Sequence, residues 1–222
     1  MLIAIVALLI GYLLGSIPTG YWVAKAVAGI DIREHGSRST GATNVLRCVG
    51  KLPALFVFLF DIGKGSAAVW ICNSLEAQGL MTGMPFPELK LVPMVVALIT
   101  LVGHSKSIFL NFQGGKSAAT ALGLAIAMNP LAAGESFLTW LAVLAVSRFV
   151  SLASIVAVIS SGGWMMLNHA PIGYTAYCML GAVYVVARHR ANINRLLTGT
   201  EPRIGQKAKQ PPETSEQSEQ KV

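Results

Sequence analysis

Apolar runs at 2–24, 53–73, 91–109, 118–130, 131–147, 149–168 and 171–187 dominate this 222-residue chain. A helix needs about 20 residues to cross about 30 Å of hydrocarbon. The first, second, third and sixth runs meet that length, and the fifth and seventh approach it. Inside lipid every backbone polar group must be satisfied internally, which a helix does within one segment. The runs therefore predict an all-α polytopic membrane protein. The charge content agrees. Charged residues make up 12% of the chain, against about 25% in a typical soluble domain, and the mean hydropathy is +0.60. These values exclude a small soluble domain, a disordered chain and a disulfide-rich secreted module. Cys48, Cys72 and Cys178 are scattered and lack CxxC spacing, so neither a disulfide framework nor a zinc site is expected. Cys72 and Cys178 lie in apolar runs and read as small core hydrophobes.

The fourth run is short and is interrupted at Asn129-Pro130. Residues 118–147 are then two thin crossings or a re-entrant hairpin. Loop charge favours two crossings. Lys and Arg gather in 29–52, 104–117, 147–150 and the segment after 187, which together hold 14 of the 17 positive residues. The intervening connections hold only Lys90. Strict alternation of this kind predicts seven transmembrane helices, with the N-terminus outside and the C-terminus cytoplasmic. A re-entrant pair would instead put Arg148 outside. The first run reads as a retained helix, because no basic stretch precedes it and Lys25 marks its inner end. Pro18 inside it frees backbone carbonyls that protein or water must cover. One seven-helix domain over 1–200 is expected, followed by a disordered cytoplasmic tail over 201–222, which is rich in Gln, Glu, Ser, Pro and Lys.

Polar sequence concentrates on the predicted cytoplasmic side. Residues 36–44 read Gly-Ser-Arg-Ser-Thr-Gly-Ala-Thr-Asn, followed by Arg47. Small residues and glycines let successive N–H groups face one anion, and Arg47 adds a planar donor. An ordinary loop with Thr43 or Asn44 as N-cap is the alternative. Next come Gly103-His104 and Asn111-Phe-Gln-Gly-Gly-Lys116-Ser117. This is not a nucleotide-binding P-loop, because Leu110 stands where that pattern needs glycine and no strand precedes it. Two glycines and a lysine before a helix still suit phosphate. The third piece is Arg148 with Ser151 and Ser154 on one helical face; a topology anchor and two helix-bonded serines explain it equally. The fourth is Arg188-His189-Arg190 with Asn192, which shares a face with His189 if helical. Asp61 and Lys64, at i and i+3 inside the second run, read as a neutralised pair facing the bundle interior.

Together and in this order, these pieces resemble the bacterial acyl-phosphate:glycerol-3-phosphate acyltransferase family. Residues 36–47 resemble its GSxNxGATNxxR motif, 103–120 its GHxFPxFLxFxGGKGxAT motif, 148–154 its RxxSLxS element and 189–201 its HRxNIxRLLxGTE motif. Ser39, Lys106-Ser107 and Ser117 depart from those patterns. The resemblance implies a seven-helix enzyme of the bacterial plasma (inner) membrane, with its site at the cytoplasmic face. The implied reaction moves a fatty acyl group from acyl phosphate to the 1-hydroxyl of glycerol 3-phosphate. Lysophosphatidic acid and inorganic phosphate are the products, and the step begins phospholipid biosynthesis. It implies no cofactor and no metal. Its partners are the two substrates, the bilayer and the enzyme that makes acyl phosphate; nucleic acid is not among them. By resemblance Ser37, Arg47, Lys116, His189 and Asn192 are catalytic. Asn44, His104, Gly114, Gly115 and Ser151 carry over as substrate-binding positions.

The other large class of glycerolipid acyltransferases uses a His-x4-Asp pair. Five residues after His35, His104, His169 and His189 stand Thr40, Phe109, Tyr174 and Asn194, so that pair is absent. No cysteine has an evident activating base. Direct attack, with the donor phosphate taking the proton, is what the resemblance implies. The rival reading is an anion or phosphate transporter, which predicts a polar route through the midplane. A lipid-binding protein without catalysis is the other rival, and it has no need of the paired glycines and Lys116.

Overall fold

The computed structural model describes residues 2–81 and 87–206. Ten α-helices form the described part: α1 Leu2–Ser16, α2 Thr19–Ala28, α3 Ala42–Cys48, α4 Lys51–Ala77, α5 Leu91–Ser105, α6 Ala118–Met128, α7 Pro130–Ser147, α8 Val150–Leu167, α9 Ile172–Arg188 and α10 Arg190–Leu197. Five stretches are long and apolar enough to cross a membrane: Leu2–Ala28, Lys51–Ala77, Pro87–Ser105, Pro130–Ser147 and Val150–Leu167. The helices Ala118–Met128 and Ile172–Arg188 are apolar but shorter. At 1.5 Å per residue α6 is only about 16 Å long. The 118–147 segment is thus two helices, divided where the sequence predicts. Asn129 accepts a hydrogen bond from the Ala132 amide (3.1 Å) and Pro130 opens α7.

α4 is the central element. It packs against α1, α3, α5 and α6, while α5 pairs with α1, and α7, α8 and α9 pack in sequence. Association between helices in lipid depends on close packing rather than on a hydrophobic gain. At the α4–α6 crossing a Cβ on Gly65 would meet the Thr120 carbonyl, and one on Gly123 the Ile62 carbonyl. Only glycine permits that approach. Leu9, Leu13, Phe56, Leu59 and Val183 stay exposed, as a lipid-facing surface requires. Cys72 and Cys178 are buried in the main core, as expected of small hydrophobes.

The proline break has its predicted consequence. The first span divides between α1 and α2 at Ile17-Pro18. The freed carbonyl of Ser16 accepts from Ser107 Oγ (2.5 Å) and that of Ile17 from Lys64 Nζ (2.9 Å). Lys64 also lies 2.7 Å from Asp61 Oδ1, so the expected intramembrane pair exists and is buried.

Candidate active site

Residues 29–50 wrap back on themselves around Asn44, which is 1% exposed. Its Oδ1 accepts from the Ser37 amide (2.8 Å), and its Nδ2 donates toward the carbonyls of Ile32, His35 and Ser39. The N-cap of α3 is Gly41, with no side-chain cap. This corrects the capping alternative: Asn44 lies inside the helix and its polar atoms are consumed by the loop. Asn44 therefore shapes the loop that presents Ser37. Arg47, one turn on, is half-buried and its Nη2 donates to the Pro202 carbonyl (3.4 Å). Burial raises the pKa of the adjacent Cys48 thiol, although Arg47 opposes the shift, so Cys48 is no thiolate nucleophile.

The 104–117 loop is organised by His104. The His104 carbonyl accepts from the Gly115 amide (3.1 Å), and its Nδ1 lies 3.2 Å from Thr120 Oγ1. A Cβ on Gly114 would strike the His104 carbonyl, and one on Gly115 would strike His104 Nε2. The glycine pair thus packs against the histidine, immediately before Lys116. Ser117 has φ +65° and its Oγ donates to the Leu101 carbonyl (2.8 Å), tying the loop to α5. Burial lowers the pKa of Lys116 to about 8; Arg195, Arg47 and Arg188 add to the shift and Glu201 opposes it. Gly115→Ala pushes the His104 ring out of place. The expected result is a loss of at least about tenfold in kcat/KM, with membrane insertion unchanged, as measured on purified protein.

The third and fourth pieces meet at Glu201. Ser151 Oγ and Asn192 Nδ2 each donate to Glu201 Oε1 (2.8 Å), and Arg195 Nε donates to Oε2 (2.7 Å). The Ile204 amide also donates to the Arg148 carbonyl (2.8 Å). The expected tail therefore begins too early. Glu201 is 6% exposed, and three donors on two helices converge on its carboxylate. Residues 207–222 of that expected tail lie outside the described residues. Glu201 is not among the residues singled out above, although it ends the last family-like motif, which is the sequence signal for it. His189 sits at the α9–α10 junction with Nδ1 2.8 Å from the Val185 carbonyl. A carbonyl only accepts, so Nδ1 carries the proton and Nε2 is the free acceptor. Burial pulls the His189 pKa to about 4, against the Val185 hydrogen bond, and the ring is neutral at pH 7.

One cavity of about 350 Å³ joins these pieces. Ser37, Asn44, Arg47, His104, Lys116, Ser151, His189 and Asn192 all line it, with Glu201. Gly114 and Gly115 do not; they back His104. The Oδ1 of Asn192 is buried without a hydrogen-bond partner. Away from this polar end the lining turns apolar, with Leu122 and Ala125 from α6, Ala157 and Val158 from α8, and Gly181 and Ala182 from α9. Cations and a neutral histidine at one end and hydrocarbon along the other suit an amphiphile with an anionic head.

The family described as Glycerol-3-phosphate acyltransferase matches residues 5–199. A glycerol-3-phosphate acyltransferase of Synechococcus sp. (strain JA-2-3B'a(2-13)) is 48% identical over 212 residues, covering 96% of this chain and all of that one. The glycerol-3-phosphate acyltransferase of Synechocystis sp. (strain ATCC 27184 / PCC 6803 / Kazusa) is 45% identical, covering 96% of each chain. Among solved structures, the integral membrane glycerol 3-phosphate acyltransferase PlsY (YgiH) in its glycerol 3-phosphate form superposes with a TM-score of 0.82. It is 38% identical and the match covers 91% of this chain and 96% of that one. The lysophosphatidic acid form of PlsY gives 0.78 at 37% identity, covering 91% and 95%. Matched over nearly its whole length in sequence and in fold, the chain belongs to the glycerol-3-phosphate acyltransferase family.

Proposed function

We propose that this protein transfers a fatty acyl group from acyl phosphate to the 1-hydroxyl of glycerol 3-phosphate, releasing lysophosphatidic acid and inorganic phosphate. The observation that carries the reading is the single cavity that joins Arg47, Lys116 and His189 at one end to an apolar groove at the other. Two phosphate-bearing substrates need such a cationic end, and the donor chain needs the groove. The hydroxyl oxygen attacks the acyl carbonyl carbon, the carbon–oxygen bond of the mixed anhydride breaks, and the departing phosphate accepts the hydroxyl proton. Ser37, Arg47 and Lys116 hold and stabilise the phosphate charge. Neutral His189 and Asn192 orient the attacking hydroxyl, and Ser151 is held against Glu201 beside them. Positioning and electrostatics supply the rate, with no acyl-enzyme.

In this reading the chain crosses the bacterial inner membrane seven times, with the N-terminus outside and the site at the cytoplasmic face. The alternation of loop charge supports that topology, with α6 and α9 as the two short crossings. The enzyme that makes acyl phosphate is the pathway partner. The chain folds as one catalytic domain whose C-terminal boundary lies beyond Glu201. Among the described residues no structural feature favours the transporter reading.

The test supplies purified protein with labelled glycerol 3-phosphate and either palmitoyl phosphate or palmitoyl-CoA. Labelled lysophosphatidic acid is expected from the phosphate alone; product from the thioester alone overturns the donor assignment. The groove makes a second prediction. Ala157→Phe fills it, so transfer from palmitoyl phosphate falls by about ten- to a hundredfold, while transfer from octanoyl phosphate changes little. Competition between the two donors measures the ratio.

A further inference from the structure

Asp61 lines the cavity, yet the proposed mechanism gives it no part. It is 1% exposed and lies in the membrane-spanning α4. One oxygen is 2.7 Å from Lys64 Nζ and 3.6 Å from His104 Nδ1. Neither oxygen accepts a hydrogen bond of good geometry. An intramembrane carboxylate is costly, and neutralising Lys64 accounts for only part of its setting. Lys64 already has another partner, the Ile17 carbonyl at the proline break. The remaining contact leads to His104, and from His104 to the loop. Thr120 Oγ1 also faces His104 Nδ1 at 3.2 Å, the His104 carbonyl holds the Gly115 amide, and the ring stands where any side chain at 115 would go. A continuous set of contacts therefore runs from the break in the first span, through Lys64 and Asp61, to the loop that carries Lys116.

We propose that Asp61 is a positioning residue for glycerol 3-phosphate binding: its carboxylate fixes the Nδ1–H tautomer and ring plane of His104, and the ring sets the Gly114-Gly115-Lys116 loop. A nearby carboxylate selects which imidazole nitrogen carries the proton, and the ring orientation follows. The kinetic part rests on the function proposed above, whereas the tautomer is a property of the protein alone.

The test removes the charges together, Asp61→Asn with Lys64→Gln, so that no uncompensated ion is left in the bilayer and an amide still reaches Ile17. The account expects KM for glycerol 3-phosphate to rise about tenfold, more than kcat falls. It also expects 15N-histidine spectra to lose the single Nδ1–H tautomer of His104, identified by its absence in His104→Gln. A pair that serves only to neutralise charge predicts wild-type KM and an unchanged tautomer, and that result overturns the proposal. If the double variant does not fold, Asp61→Glu keeps the charge and displaces it by one methylene. A raised KM there supports the proposal and a wild-type KM contradicts it. Wild-type protein that makes no lysophosphatidic acid counts against the functional reading, and the His104 tautomer still decides the role of Asp61.

Discussion

Lys116→Ala loses about 10²–10³-fold in kcat/KM for glycerol 3-phosphate while inserting normally and unfolding no earlier than wild type. The two halves of this expectation have one cause. Lys116 is half-buried and surrounded by Arg47, Arg188 and Arg195, so burial and like charge hold its pKa down at about 8. An ammonium kept in place against that cost is poised to gain when a phosphate arrives. Removing it relieves strain in the empty protein and removes stabilisation from the transition state. The pH dependence has a definite sign. The charged form binds phosphate, and the folded pKa lies below the ordinary lysine value. Affinity for glycerol 3-phosphate is therefore full below about pH 8 and falls as pH rises through that value. Lys116→Arg retains charge but presents a planar fork, so it recovers part of the activity and moves the decline to higher pH. Initial rates across pH 6–10, on the order of one point per half unit, read both effects.

Glu201→Ala costs about 2–3 kcal/mol of stability and at least about a hundredfold in activity, because one carboxylate holds three donors. Its side chain is 1% exposed, whereas that of Arg195 is 33% exposed, so the pair is discounted for solvent on one side. Loss of the carboxylate leaves Asn192 Nδ2 and Ser151 Oγ without their acceptor and frees the 201–204 segment from α8. Burial pushes the Glu201 carboxyl upward, but hydrogen bonds from Asn192, Ser151 and Arg195 outweigh it and leave the pKa below its ordinary value. A lowered folded pKa contributes stability above the unfolded carboxylate range, near pH 4.3, that is lost as pH falls through the folded value. Wild type therefore loses stability on acidification below that range, and Glu201→Gln loses less of it. Thermal unfolding in detergent at pH 7 and below pH 4 checks the slope.

The sequence carried the parts of the fold whose cause is local. Apolar run length, the Asn129-Pro130 break and the Pro18 interruption each follow from backbone hydrogen bonding within a few residues. The polar loops were legible as phosphate-seeking because their residue types are. Contacts across the chain were not. Gly114 and Gly115 read with Lys116 as part of a phosphate site; that their missing side chains also make room for the His104 carbonyl and ring is a contact across the chain. A loop ending in Thr43 or Asn44 as N-cap is one reading of 36–47, yet the Asn44 amide is the hub of a loop that begins twelve residues earlier at Ile32. Glu201 falls in a basic, polar stretch and reads as tail, because its donor from α8, Ser151, lies 50 residues away in sequence. Each of these roles depends on which element the fold brings opposite.

The central claim is that one cavity holds both substrates and moves the acyl group directly between them. A single-turnover experiment tests it, with palmitoyl phosphate labelled at the carbonyl carbon and at phosphorus. The account predicts no label on the protein before acceptor is added. It then predicts carbonyl label in lysophosphatidic acid and equal phosphorus label in free phosphate. Carbonyl label trapped on the acid-quenched protein, and chased from it by glycerol 3-phosphate, would contradict direct transfer and require a nucleophile within the chain.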